Sequence, residues 1–231
     1  MFLWTKIINN KAVCGLVLLL VTFFCLLSAF TEKKTTIEQT KQFCLGNIKE
    51  MQVQLDTFQL IGEQHSDKKQ LINRFKKVRV AFKRFEFFLE YFDSRHYAFF
   101  NGVNAVEMDD GYNPYAKPEG LQVMESELFN DSLDIDRIIY LTKQLKYRTL
   151  SFYLVLKDAE IKNTYIFEAI RFHLIRIETL NLVSFDSPDI RNNTAEIIAS
   201  LKSIQTFLSF FKEDKNVLVA NSLDTKIQKA I

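Results

Sequence analysis

The residues with the strongest claim to chemistry lie in Pro118–Phe129, PEGLQVMESELF. Within it, Gly120-x-Gln122-x-x-Glu125 sets an amide three residues before a carboxylate. On a helix this spacing puts both on one face, beside an apolar stripe of Leu121, Met124 and Leu128. The same shape occurs earlier as Ala81-Phe82-Lys83-Arg84-Phe85-Glu86. Glu86 stands among Phe85, Phe87 and Phe88, and Glu125 beside Met124 and Leu128. A carboxylate in such surroundings must be paired, hydrogen-bonded or neutral. Lys83 precedes Glu86 by three and is its natural partner; Gln122 stands in the same relation to Glu125. Lys83, Glu86, Gly120, Gln122 and Glu125 therefore form one candidate polar cluster. It reads either as a ligand pocket between helices or as two interhelical polar clamps, and spacing alone favours the clamps.

Other chemistry has less support. His65 falls in a polar turn. His96 follows Asp93-Ser94-Arg95 near the end of the second expected helix, where positive charge is favourable. His173 lies on an apolar stripe and reads as a hydrogen-bonded core residue. Glu107, Asp109 and Asp110 could meet a hard cation, but their spacing matches no calcium loop and reads as a solvated acidic segment. No G-x-S-x-G, H-E-x-x-H, C-x-x-C zinc knuckle or C-x-x-C-H occurs. Of the three cysteines, Cys14 and Cys25 precede the expected folded part and only Cys44 lies within it, so no internal disulfide framework is expected there. No metal site, catalytic residue or cofactor of the chain's own is expected.

These residues need elements to position them. The chain has 231 residues, 48% hydrophobic and 25% charged, with 22 phenylalanines and a formal net charge of +2. That is a globular composition with an aromatic core and too little charge to imply nucleic acid. The basic cluster Lys76, Lys77, Arg79, Lys83 and Arg84 reads as the solvated face of a helix. Residues 1–34 form a targeting segment. Lys6 and Lys11 precede the apolar run Ala12–Phe30, and Thr31-Glu32-Lys33-Lys34 follows it. A cleaved signal peptide and a retained membrane anchor both fit, and either places residues 35–231 outside the cytoplasm.

From Thr35 on, apolar residues recur at helical spacing. The first helix follows Ile37, Ile48, Met51, Leu55 and Phe58 to a stop at Gly62, and Ser66 is expected to cap the next. A long second helix carries Leu71, Phe75, Val78, Phe82, Phe85, Leu89 and Phe92 on toward Asn101-Gly102. Asn101–Lys117 is one long irregular loop. Pro118 opens the third helix, since proline lacks the N–H orphaned there and Glu119 suits the dipole. A break and cap at Asp131-Ser132 leads to a fourth helix through Leu156, and Asn163-Thr164 starts a fifth through Leu180. Ser187-Pro188-Asp189 is read as the start of the sixth, and Val217–Ile231 as a last short helix or a frayed tail. The expected fold is an all-α, up-and-down helical bundle.

Two resemblances attach to these motifs. GLQVMESELF resembles the G-x-H-x-x-E motif of the imelysin family, exported helical-bundle proteins linked to metal or haem uptake. Gly120 and Glu125 match, while Gln122 stands where that motif has His. Ala81–Glu86 keeps the frame with Glu86 alone. More broadly, FKKVRVAFKRFEFFLEYF, the Asn101-Gly102 loop and PEGLQVMESELF are similar to the N-terminal helical region before the haem domain of periplasmic dihaem cytochrome c peroxidase-like proteins. That implies an exported, imelysin-like helical module, periplasmic or extracytoplasmic, either released or held at the inner membrane, accompanying a peroxidase-type haem protein. Haem is then expected only in a partner or missing domain, with this chain itself non-catalytic. The alternative the resemblance implies is an imelysin-like protein binding metal or haem.

Overall fold

The computed structural model describes residues 35–64, 67–102, 118–211 and 217–231; at Asn163 and at residues 217–220 it describes the backbone alone. The targeting segment, His65, Ser66 and the acids Glu107, Asp109 and Asp110 lie outside the described residues. Every regular element described is helical: α1 Thr36–Glu63, α2 Lys68–Lys83, α3 Glu86–Phe92, α4 Ser94–Asn101, α5 Leu121–Phe129, α6 Ile135–Asp158, α7 Asn163–Arg176 with a π-helical turn Ile177–Asn181 after it, α8 Asn193–Phe210 and α9 Val217–Ala230. The all-helical bundle expected from periodicity is the observed fold. None of the described helices is long and apolar enough to cross a membrane.

Helix α1 carries the bundle. Its apolar positions Cys44, Ile48, Met51, Leu55 and Phe58 step by three and four and are fully buried. Helix α6 runs antiparallel to it, with Lys41 Nζ donating to Ala159 O at one end and Lys146 Nζ 2.7 Å from Asp56 at the other. Gly62 does not end α1. It lies one residue inside, facing Ile139 of α6, with which an added Cβ would make an ordinary contact at 3.6 Å. Asp67 caps α2, its side chain accepting from the Gln70 N–H at 2.7 Å. Helix α8 lies parallel to α2, and α7 antiparallel to α3 through Tyr91–Glu168 and Glu90–Arg176.

The long second helix expected from one apolar stripe is three helices. Phe85 to Leu89 are five consecutive buried residues. A continuous helix would turn some of them to solvent, so the chain breaks at Arg84-Phe85 and re-aims (Phe85 φ −127°, ψ 1°). The second break is at Asp93. Its carboxylate accepts the His96 N–H at 3.0 Å and meets His96 Nδ1 at 2.6 Å, drawing the backbone into a cap. His96 thus sits in the first turn of α4, not at a helix C-terminus, and Asp93 supplies the charge that suits it.

The phenylalanines form the core. Phe82 stacks on Phe100 with ring centroids 5.6 Å apart, Phe85 on Phe152 at 6.2 Å, and Phe87 meets Phe207 edge-on at 4.7 Å. Three other boundaries differ from expectation. Helix α5 begins at Leu121 rather than Pro118, because Gly120 has φ +111° and cannot continue a helix backward. Asp134, not Asp131-Ser132, caps α6, accepting from the Arg137 N–H. Ser187-Pro188-Asp189 is a turn, and α8 starts later, at Asn193.

Candidate functional site

The polar cluster is built from the inside of α2. Arg79 and Lys83 are spaced four apart on the core-facing side and are each only 1% exposed. This corrects the reading of the whole basic run as a solvated face. Arg79 makes a two-pronged pair with Glu196 of α8, Nε to Oε1 at 2.7 Å and Nη2 to Oε2 at 3.0 Å. Its Nη2 also donates to the Asp186 carbonyl at 2.9 Å, and its Nη1 lies 3.4 Å from Glu125 Oε2.

Lys83 finds the partner expected three residues on. Its Nζ donates to Glu86 Oε1 at 2.9 Å and to Asp186 Oδ2 at 3.1 Å. Arg176, at the end of α7, closes the far side, with Nη2 donating to both Asp186 oxygens at 2.8 and 3.0 Å and Nη1 to Glu90 at 3.1 Å. Its guanidinium lies 5.0 Å from the Tyr97 ring centre. Asp186 therefore joins the two halves: its backbone binds Arg79, and its carboxylate binds Lys83 and Arg176.

Glu125 enters differently from expectation. Gln122 does not pair with it. Gln122 Nε2 donates instead to the Asn101 carbonyl at 3.1 Å, tying α5 to the end of α4. Glu125 Oε1 accepts the backbone N–H groups of Asp189 at 2.8 Å and Ile190 at 2.9 Å. Gly120 holds no polar group in the cluster. Its positive φ turns the chain into α5, and an added Cβ would stand 2.7 Å from Phe99 O and 2.9 Å from Phe100 O. Structure thus unites Lys83, Glu86 and Glu125 in one network and leaves Gly120 and Gln122 at its margin.

Electrostatics follow from the census. Five carboxyl groups, Glu86, Glu90, Glu125, Asp186 and Glu196, share three permanent cations, Arg79, Lys83 and Arg176. Burial pushes Asp186 upward, but Lys83 and Arg176 outweigh it and hold it below the usual carboxylate range. Glu196 is likewise raised by burial and brought below that range by Arg79. Glu125 goes the other way: burial wins over Arg79 and the two backbone donors and lifts it above the ordinary value. Tyr97 is driven up by burial and by the nearby Glu86 charge.

This arrangement is chemically closed. Arg79, Lys83, Glu86 and Glu125 are at most 1% exposed, and their charges face one another, Glu196, Asp186, Arg176 or backbone, with Arg79 Nη1, Glu86 Oε2 and Glu125 Oε2 in ion pairs but without a hydrogen bond of their own. Among the described residues, no three His, Cys, Asp or Glu side chains converge to hold a metal. His173 is fully buried against Phe87, with Nδ1 4.0 Å from Glu90 and no hydrogen bond at either ring nitrogen, so it is a core histidine without the hydrogen bond expected of it. Cys44 is a free buried thiol whose pKa burial raises well above normal.

Sequence reasoning missed Asp186, Arg176 and Glu196. Only Glu196 left a trace: Glu196, Ser200 and Ser203 are spaced four and three apart, a polar line beside the apolar stripe of the helix, and all three are buried. Neither a protein-family model nor a curated protein matches the chain.

Proposed function

We propose that this chain is a non-catalytic, extracytoplasmic helical module that associates with a dihaem cytochrome c peroxidase-type protein. The observation that carries the non-catalytic part is the closed network: Lys83, Glu86 and Glu125 are buried and spent on internal pairing. A general acid, base or ligand must reach a substrate, and these groups face only protein. The choice of partner rests on the similarity of Phe75–Phe92, the Asn101-Gly102 loop and Pro118–Phe129 to the helical region that precedes peroxidase haem domains. The segment of residues 1–34 supports export or anchoring at the inner membrane. The competing reading, an imelysin-like metal or haem binder, requires Glu86 and Glu125 to leave the buried pairs they make with Lys83, Arg79 and the backbone at 189–190.

The test is expression of the full chain in a host competent in c-type haem maturation, beside a dihaem peroxidase-type protein. The chain is expected to carry no covalent haem and to associate with the haem protein. Covalent haem on this chain, or no association, overturns the proposal.

A further inference from the structure

Of the basic run Lys76, Lys77, Arg79, Lys83 and Arg84, Arg79 and Lys83 are consumed inside; the other three face outward and remain unspent. Lys76, Lys77 and Arg84 line two contiguous cavities of about 260 and 390 Å³, which share Val80 and Arg84. Lys202, on α8, lines the second. Among the described residues, none of these four side chains makes a hydrogen bond, ion pair or ring contact with another residue. The one acid in the lining, Glu50, already accepts from Gln54 of its own helix. Four cations against one acid leave a formal surplus of three positive charges.

The cavities form an elongated trough, with α1 on one side and α2 and α8 on the other. Its α1 wall runs from Gln54 to Phe43, about 16 Å at roughly 1.5 Å per residue. The lining includes Phe43, Val80 and Ile198, with Ala81 and Ala199 allowing close approach. We infer that this trough docks an acidic amphipathic helix of a partner protein, its apolar side on Val80 and Ile198 and its carboxylates on Lys76, Lys77, Arg84 and Lys202. The inference deepens the module reading and rests on it, because it names the face through which the module engages its partner.

Shape and charge distribution select this occupant. Lys76 and Arg84 lie about 12 Å apart along the helix, so the cations are spread along the trough as an extended acidic segment would meet them. A bilayer presents a flat surface, whereas the cations here line a concavity with an apolar interior. Single-stranded nucleic acid needs aromatic faces for stacking. The one ring in the lining, Phe43, is packed edge-on against Phe207 and Phe210.

The experiment is fluorescence anisotropy with the full chain in detergent micelles and a labelled synthetic amphipathic helix of Glu, Ala and Leu. Saturable binding that weakens with added salt is expected, with a loss of about tenfold or more in Lys76→Glu/Arg84→Glu. Lys157→Glu, a charge reversal outside the trough, is expected to bind as wild type, and far-ultraviolet circular dichroism checks that the variants fold. No binding, equal binding by the reversed variant, or equal or tighter binding of a Lys-for-Glu peptide, a uridine oligonucleotide or phosphatidylglycerol-doped micelles overturns the inference. Failure here with haem-protein association intact removes the trough and spares the module. Peptide binding with no haem-protein association removes that partner and spares the trough.

Discussion

Arg79 and Lys83 decide the meaning of the polar cluster, because each is a full charge with almost no access to water. Such a charge persists only where opposite charges and hydrogen bonds replace hydration. Arg79 achieves this with Glu196, the Asp186 carbonyl and Glu125; Lys83 with Glu86 and Asp186. Gly120 works by conformation instead. Its φ of +111° and the carbonyls of Phe99 and Phe100 leave no place for a Cβ. Gly120→Ala is expected to destabilise by about 1–3 kcal/mol, the usual cost of a strained backbone. Urea unfolding followed by circular dichroism measures it, and an unchanged midpoint would remove the conformational role assigned to Gly120.

At the scale of elements, much was legible and the failures share a cause. The apolar stripes of α1 and α6 follow helical spacing, so those helices appear close to where the pattern places them, and α8 follows its stripe from Asn193 on. Lys83–Glu86 was legible for the same reason, since it is local in sequence. The network that completes it was not. Asp186 and Glu196 lie more than a hundred residues from their partners on α2, and no local spacing reports such a contact. The split of the second helix was hidden because its breaks preserve the stripe: Phe85, Leu89 and Phe92 stay in phase while the axis changes. Pro118 and Ser187-Pro188-Asp189 were genuine turn signals assigned to the wrong step, since each marks the loop leading to a helix rather than its first turn. In the second case the turn has a separate use, presenting the N–H groups of Asp189 and Ile190 to Glu125.

For the whole molecule, the network ties α2, α3, α5, α7, α8 and the turn at 186–190 into one unit, so its protonation should appear in global stability. Glu90, Asp186 and Glu196 have depressed values. Their contribution is present above the unfolded-state values and is lost as pH falls through the ordinary 3.8 of Asp and 4.5 of Glu toward the folded ones. Glu125 is raised, so its neutral form favours the fold, and its contribution is lost as pH rises from 4.5 through the folded value. Stability is therefore expected to climb steeply out of acid, where three groups act together, and then to decline gently above 4.5. Glu125→Gln should abolish the gentle decline and leave the acid limb. Unfolding free energies across pH check both parts, and a decline that persists in Glu125→Gln would assign it elsewhere.

The central claim is that the buried cluster holds helices together and serves no ligand. Arg79→Met tests it most directly, because methionine fills much of the same volume while leaving Glu196, Glu125 and Asp186 without their shared cation. Unfolding free energy and affinity for the proposed haem-protein partner are measured on the same preparation. A loss of about 3–5 kcal/mol in stability is predicted, with affinity for the partner unchanged under conditions where the variant stays folded. Undiminished stability together with lost partner or ligand binding would contradict the claim.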